Sequence, residues 1–105
     1  MKRSLVVRRI TQREFDDAVD WYDRQRPGLG TEFIDEIQRV FDSILKNPLR
    51  YGVVQQDFRE ALANRFPYAV YYHVEPHRIV IMAVIHTARD PAIWQGRSLD
   101  DPDSN

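Results

Sequence analysis

The hydrophobic pattern of this 105-residue chain changes its period partway along. Ser4-Leu5-Val6-Val7 is short, apolar and β-branched, which predicts a strand. Phe15, Ala18, Val19 and Tyr22 then recur at i, i+3, i+4 and i+7, the apolar stripe of an amphipathic helix. Ahead of them, Thr11-Gln12-Arg13-Glu14 matches a capping box, in which the Thr and Glu side chains satisfy free amides of the first turn. The helix is therefore expected to start there. Pro27-Gly28-Leu29-Gly30 breaks it. A second stripe of Phe33, Ile34, Ile37, Val40, Phe41, Ile44 and Leu45 runs to Lys46-Asn47-Pro48, where proline stops the helix. Two helices joined by so short a link predict an antiparallel hairpin.

Beyond Pro48 the helical period is gone. Residues 51–57 show no regular pattern, and residues 59–66 read as a strand around Ala61 and Leu62. Residues 69–74 are rich in Val and Tyr and read as a further strand, Glu75-Pro76-His77 as a tight turn, and residues 78–86 as the most apolar run of all. Without polar alternation, that last strand is expected to be buried on both faces and to sit centrally. The order predicts an α+β fold, β-α-α-β-β-β, with the helical hairpin packed on one face of a mostly antiparallel sheet. The expected core between them is Phe15, Val19, Tyr22, Phe33, Ile37, Val40, Phe41, Ile44, Val70, Tyr72, Ile79, Ile81 and Ala83. Residues 1–97 make one domain in this reading. The polar, acidic residues 98–105 are expected to form a disordered tail.

Composition narrows the function classes. The chain has no cysteine, which excludes disulfides, thiolate nucleophiles and Cys-ligated zinc. Its longest apolar run, Ile79 to Ile85, falls far short of the roughly 18 residues of a membrane helix. Leu5-Val6-Val7, flanked by Arg8 and Arg9, is too short for the core of a signal peptide. A soluble, cytoplasmic protein is the expectation. The net charge of −1 averages a basic N-terminus, an acidic helical region, a basic strand region and an acidic tail. The basic segments are able to form one face. Most of the basic residues are Arg, the better fork for phosphate and carboxylate, although genomic base composition enriches Arg as well.

Signatures of the common enzymes are missing: the sequence has no G-x-S-x-G, no H-E-x-x-H and no Walker loop. His73 and His77 straddle the predicted turn and bring no third ligand, so no metal is expected. Asp16, Asp17, Asp20 and Asp23 read as the solvated side of the first helix. The segment after the apolar strand is different, because His86, Arg89, Trp94 and Arg97 follow within twelve residues. His, Arg and an aromatic together grip a phosphodiester, stack a base or protonate a leaving group. The structural alternative is that Trp94 closes the open end of the core while Arg89 and Asp90 hold the C-terminal segment by a salt bridge.

Taken in order, several short motifs resemble one known superfamily. They are Trp21-Tyr22, Pro27-Gly28-Leu29-Gly30 with Phe33, Asn47-Pro48, Arg59 with Phe66-Pro67-Tyr68 and Tyr71-Tyr72, and His86 with Arg89-Asp90-Pro91, Trp94 and Arg97. This string, over roughly residues 3–97, resembles the plasmid-stabilisation branch of the RelE/ParE toxins. The resemblance implies the toxin of a type II toxin–antitoxin pair, neutralised by a cognate antitoxin whose C-terminal segment folds onto it. It also implies one of two targets. RelE-like toxins cut mRNA on the ribosome with several basic residues, an Arg and a Tyr, whereas ParE-like toxins poison DNA gyrase. Here Glu60, Leu62 and Ala69 stand where the nuclease has strand cations, and Trp94 stands where it has its terminal Tyr. A ParE-like gyrase inhibitor is therefore the first expectation, with Arg59, Arg65, Arg89, Trp94 and Arg97 as partner- or target-binding residues. A ribosome-dependent endoribonuclease is the second, with His86 as acid and Arg89 and Arg65 as phosphate clamps. A non-toxic relative that only binds a partner is the third. None of these readings implies a cofactor.

Overall fold

The computed structural model of the chain describes residues 3–97. The acidic tail expected over 98–105 lies outside the described residues. In chain order the elements are β1 (Ser4–Val7), α1 (Arg9–Gln25), α2 (Leu29–Lys46), β2 (Val53–Gln55), β3 (Phe58–Leu62), β4 (Tyr68–Val74), β5 (Arg78–His86) and the short α3 (Ala92–Gln95). The expected α+β order is present, with β2 and α3 in addition. Five strands form one sheet in the order β1-β5-β4-β3-β2, antiparallel except where β1 runs parallel to β5. β5 is paired on both sides and buried on both faces, as its unbroken apolar run requires. Among the described residues no helix is long and apolar enough to cross a membrane.

The α1–α2 hairpin covers one face of the sheet. Ala18 and Tyr22 from α1 meet Phe33, Ile37, Val40 and Ile44 from α2 over Val70, Tyr72, Ile79, Ile81 and Val84, with Phe15, Val19 and Phe41 packed half-buried at the margin. Each fully buried side chain of this size contributes about 1.5–3 kcal/mol relative to exposure. The turn between the helices depends on two glycines for different reasons. Gly28 has φ +89°, a left-handed conformation that glycine adopts without penalty. Gly30 lets α2 approach α1 closely, since a Cβ there would lie 2.7 Å from both the Asp23 carboxylate and the Val19 carbonyl. The Asp23 Oδ1 accepts the Gly30 N–H at 2.7 Å, satisfying an amide of the first turn of α2.

Four expectations change. Thr11 is no cap: α1 begins at Arg9, and Thr11 is fully buried, donating its hydroxyl to the Met82 carbonyl at 2.9 Å. Residues 53–55 form the edge strand β2, too short to show alternation, and the strand expected over residues 59–66 ends at Leu62. Ala83 packs on the far face of the sheet instead of under the hairpin. The cause is a bulge: Tyr71 lies opposite Ala83 and Tyr72 opposite Ile81, which leaves Met82 as the extra residue and reverses the alternation after it. Finally, the Asp90 carboxylate accepts the Ala92 N–H at 2.9 Å, at the start of α3, in place of the salt bridge expected with Arg89.

The far face carries a second, smaller core of Phe58, Ala69, Tyr71, Val80, Met82, Ala83, Ile85 and Trp94. Trp94 of α3 seals it, stacked on Tyr71 at 4.6 Å and edge-on to Phe58 at 5.3 Å.

Candidate functional site

An open groove lies between α1 and the end of β5. Glu14, Asp17, Ala18 and Trp21 recur at i, i+3, i+4 and i+7, so α1 presents them as one wall. Val84, Ile85 and His86 of β5, then Arg89 beyond it, form the other wall, and Tyr68 of β4 closes the bottom opposite His86. The groove continues into an apolar hollow lined by Trp21, Tyr22, Pro67, Tyr68 and His86. Trp21 stands edge-on to Tyr22 at 5.1 Å, and His86 edge-on to Tyr68 at 5.4 Å. Trp21 is nonetheless 50% exposed.

Local electrostatics fix several of these groups. The His86 Nδ1 accepts the Ala88 N–H at 3.0 Å, so the neutral ring carries its proton on Nε2. Burial raises the Tyr68 hydroxyl above its ordinary pKa, and Tyr22 adds to the shift while the Arg89 charge opposes it. Glu14 receives both arms of Arg97, at 3.1 and 2.7 Å, and the same guanidinium donates to the Met82 carbonyl at 2.8 Å. The Arg97 side chain is only 9% exposed. Its role in this position is structural: it ties the segment after α3 to α1 and satisfies the carbonyl of the bulged residue.

The remaining sequence candidates lie elsewhere. Arg59 donates to the Tyr51 carbonyl at 2.6 Å and, at 3.4 Å, to that of Leu49, bracing the loop before β2. Arg65 pairs with Glu32 of α2, which also binds Arg26 at 3.1 Å, and its guanidinium lies over the Phe66 ring. Trp94 is 1% exposed and turned into the second core. Only His86 and Arg89 of the predicted set therefore line one open site, with Arg97 reaching its rim through Glu14. Glu60, Leu62 and Ala69, set against the nuclease cations by the sequence resemblance alone, share the far face, where Glu60 accepts the Tyr71 hydroxyl at 2.7 Å. That bond and burial push the Tyr71 pKa up to about 12, with burial the larger cause.

Sequence reading did not single out Trp21, Tyr68 and Asp17 as groove residues. The available clue was Trp21 itself, a large aromatic one position off the apolar stripe of α1. His73 lies against Phe58 at 5.6 Å and 3.5 Å from Glu75. Among the described residues no group of three or more His, Asp or Glu is placed to hold a metal ion.

A helical hairpin laid on a five-stranded mixed sheet, with a ring-lined groove beside α1, defines a small α+β protein. The sequence profile of the ParE toxin of type II toxin–antitoxin systems, parDE, matches residues 5–91, and the chain belongs to that family. Its fold is similar to that of a solved chain from the chromosomal ParDE toxin–antitoxin system of P. aeruginosa. The TM-score is 0.72, with 16% sequence identity over 81% of this chain and 96% of that one. No curated protein sequence matches the chain significantly. Membership of a toxin–antitoxin family implies a cognate antitoxin as partner.

Proposed function

We propose that this toxin acts by binding DNA gyrase, is silenced when its cognate antitoxin covers it, and cuts no RNA. The observation that carries this reading is the engagement of Arg59, Arg65 and Arg97, three of the four candidate arginines. Cleavage of a phosphodiester needs unpaired positive charge aimed at the developing negative charge of the transition state. Here Arg59 is bonded to backbone carbonyls, Arg65 to Glu32, and Arg97 to Glu14 and Met82. The corresponding face of β3 and β4 offers a carboxylate and apolar side chains, and Trp94 has no hydroxyl to give. What remains open is a groove suited to contact.

For the antitoxin, the apolar channel beside β1 is the best-fitting surface. Leu5, Val7, Phe15, Ile34 and Phe41 line it, and β1 has no strand on its outer side among the described residues. Such an edge takes an added strand, with apolar side chains filling the channel beneath.

RNA cleavage is the second reading, favoured by one observation: His86, with its proton on Nε2, and Arg89 line the same groove. Pulse-labelling after induction of the chain without its antitoxin separates the two. DNA synthesis is expected to fall first. If incorporation into protein stops before incorporation into DNA, the gyrase reading fails and cut mRNA becomes the product to find.

A further inference from the structure

The groove along α1 holds chemistry that the fold leaves unused. Trp21 is half exposed although it is the largest side chain on its helix, and Trp is prominent among the residues that anchor protein interfaces. Its neighbours Tyr22, Pro67, Tyr68 and His86 make the floor a nearly continuous set of rings. Two exposed charges flank it, Asp17 on the α1 wall and Arg89 on the β5 wall, and neither side chain has an ion pair among the described residues. Glu14, on the same wall as Asp17, is already neutralised by Arg97. The channel beside β1 draws on Gln12 and Phe15, another side of the same helix.

These charges select the occupant. A nucleic-acid strand repeats one sign, so it would gain Arg89 and meet the unpaired Asp17 at close range. An extended protein segment carrying one base and one acid satisfies both walls. Its base also gains the face of Trp21, and its apolar or proline groups lie on rings of the kind that recognise extended chains.

We propose that the Trp21 groove is where the toxin engages its target protein. The occupant is an extended segment of that target, which sets a Lys or Arg against Asp17 and Trp21 and an Asp or Glu against Arg89. The inference rests on the target-binding reading above and adds the site and the chemistry of the contact.

Trp21→Ala and Asp17→Arg test it in the full chain, by growth arrest on induction and by inhibition of supercoiling with purified gyrase. Each variant is expected to need at least about tenfold more protein than the parent for the same effect. Melting temperatures are expected to stay within about 3 °C of the parent. Asp17 is exposed, so its variant keeps the test valid should Trp21→Ala unfold. Parent-level arrest by the folded variants overturns the inference. A parent that arrests growth but leaves gyrase untouched overturns the gyrase reading alone, and the groove is then judged by arrest. A parent that arrests growth by cutting mRNA overturns the protein occupant.

Discussion

Glu36 shows how much one side chain organises. It is 5% exposed on α2, receives Arg39 at 2.6 Å and accepts the Asn64 N–H at 2.9 Å, fixing the loop between β3 and β4. The Arg39 bond, and after it the Asn64 amide, hold its carboxyl below the usual carboxylate range. A pKa depressed in the folded state contributes stability above the unfolded value of about 4.3, and the contribution is lost as pH falls through the folded value. Glu36→Gln keeps an acceptor for Asn64 and removes the charge. It is expected to lower stability by about 1 kcal/mol at pH 7, with the gap to the parent closing below about pH 4. Urea unfolding from pH 3 to pH 7 measures this, and a gap independent of pH would contradict it.

Among the elements, the hairpin is the most constrained, and Gly30 is where its packing is tightest. A side chain at this position would run into the Val19 carbonyl, which belongs to the backbone, so no side-chain rotation relieves the clash. Gly30→Ala is expected to cost about 1–3 kcal/mol, even though alanine gains about 1 kcal/mol in helix propensity. Thermal melting of the variant reads the balance, and a melting point at or above the parent's would show that the helices separate freely.

The elements also show what a sequence discloses. Both helices, β4 and β5 are legible because long stripes with a clean period leave few alternatives. Thr11 and Ala83 depart from their local pattern because a tertiary bond and a one-residue bulge, neither visible locally, override it. β2 is three residues long and carries no period at all. The site is less legible still. Arg59, Arg65, Arg89 and Arg97 look alike in sequence, and what separates them is a partner: Tyr51 for one, Glu32 for another, Glu14 for the last. Pairings across such separations follow from the fold and cannot be read before it.

At the scale of the whole molecule, Ile81 is the point of convergence. It lies opposite Val7 of β1 and Tyr72 of β4, is fully buried beneath the hairpin, and precedes the bulge that turns Ala83 to the second core. Ile81→Ala is expected to cost on the order of 2–5 kcal/mol. Chemical denaturation followed by far-ultraviolet circular dichroism measures it, and a midpoint indistinguishable from the parent's would refute the burial.

The parallel pairing of β1 with β5 has a consequence in time. The first strand waits for the last, since Ser4 pairs opposite Arg78. The hairpin forms from neighbours in the chain and so early during synthesis, whereas the sheet closes across most of the described length. His86 and Arg89 emerge after that closing strand has begun, so the groove does not exist on any shorter nascent chain. Any contact that needs the groove thus becomes possible only once β5 and the residues behind it have been made. An antitoxin already waiting at the ribosome would meet a chain whose groove has only just formed.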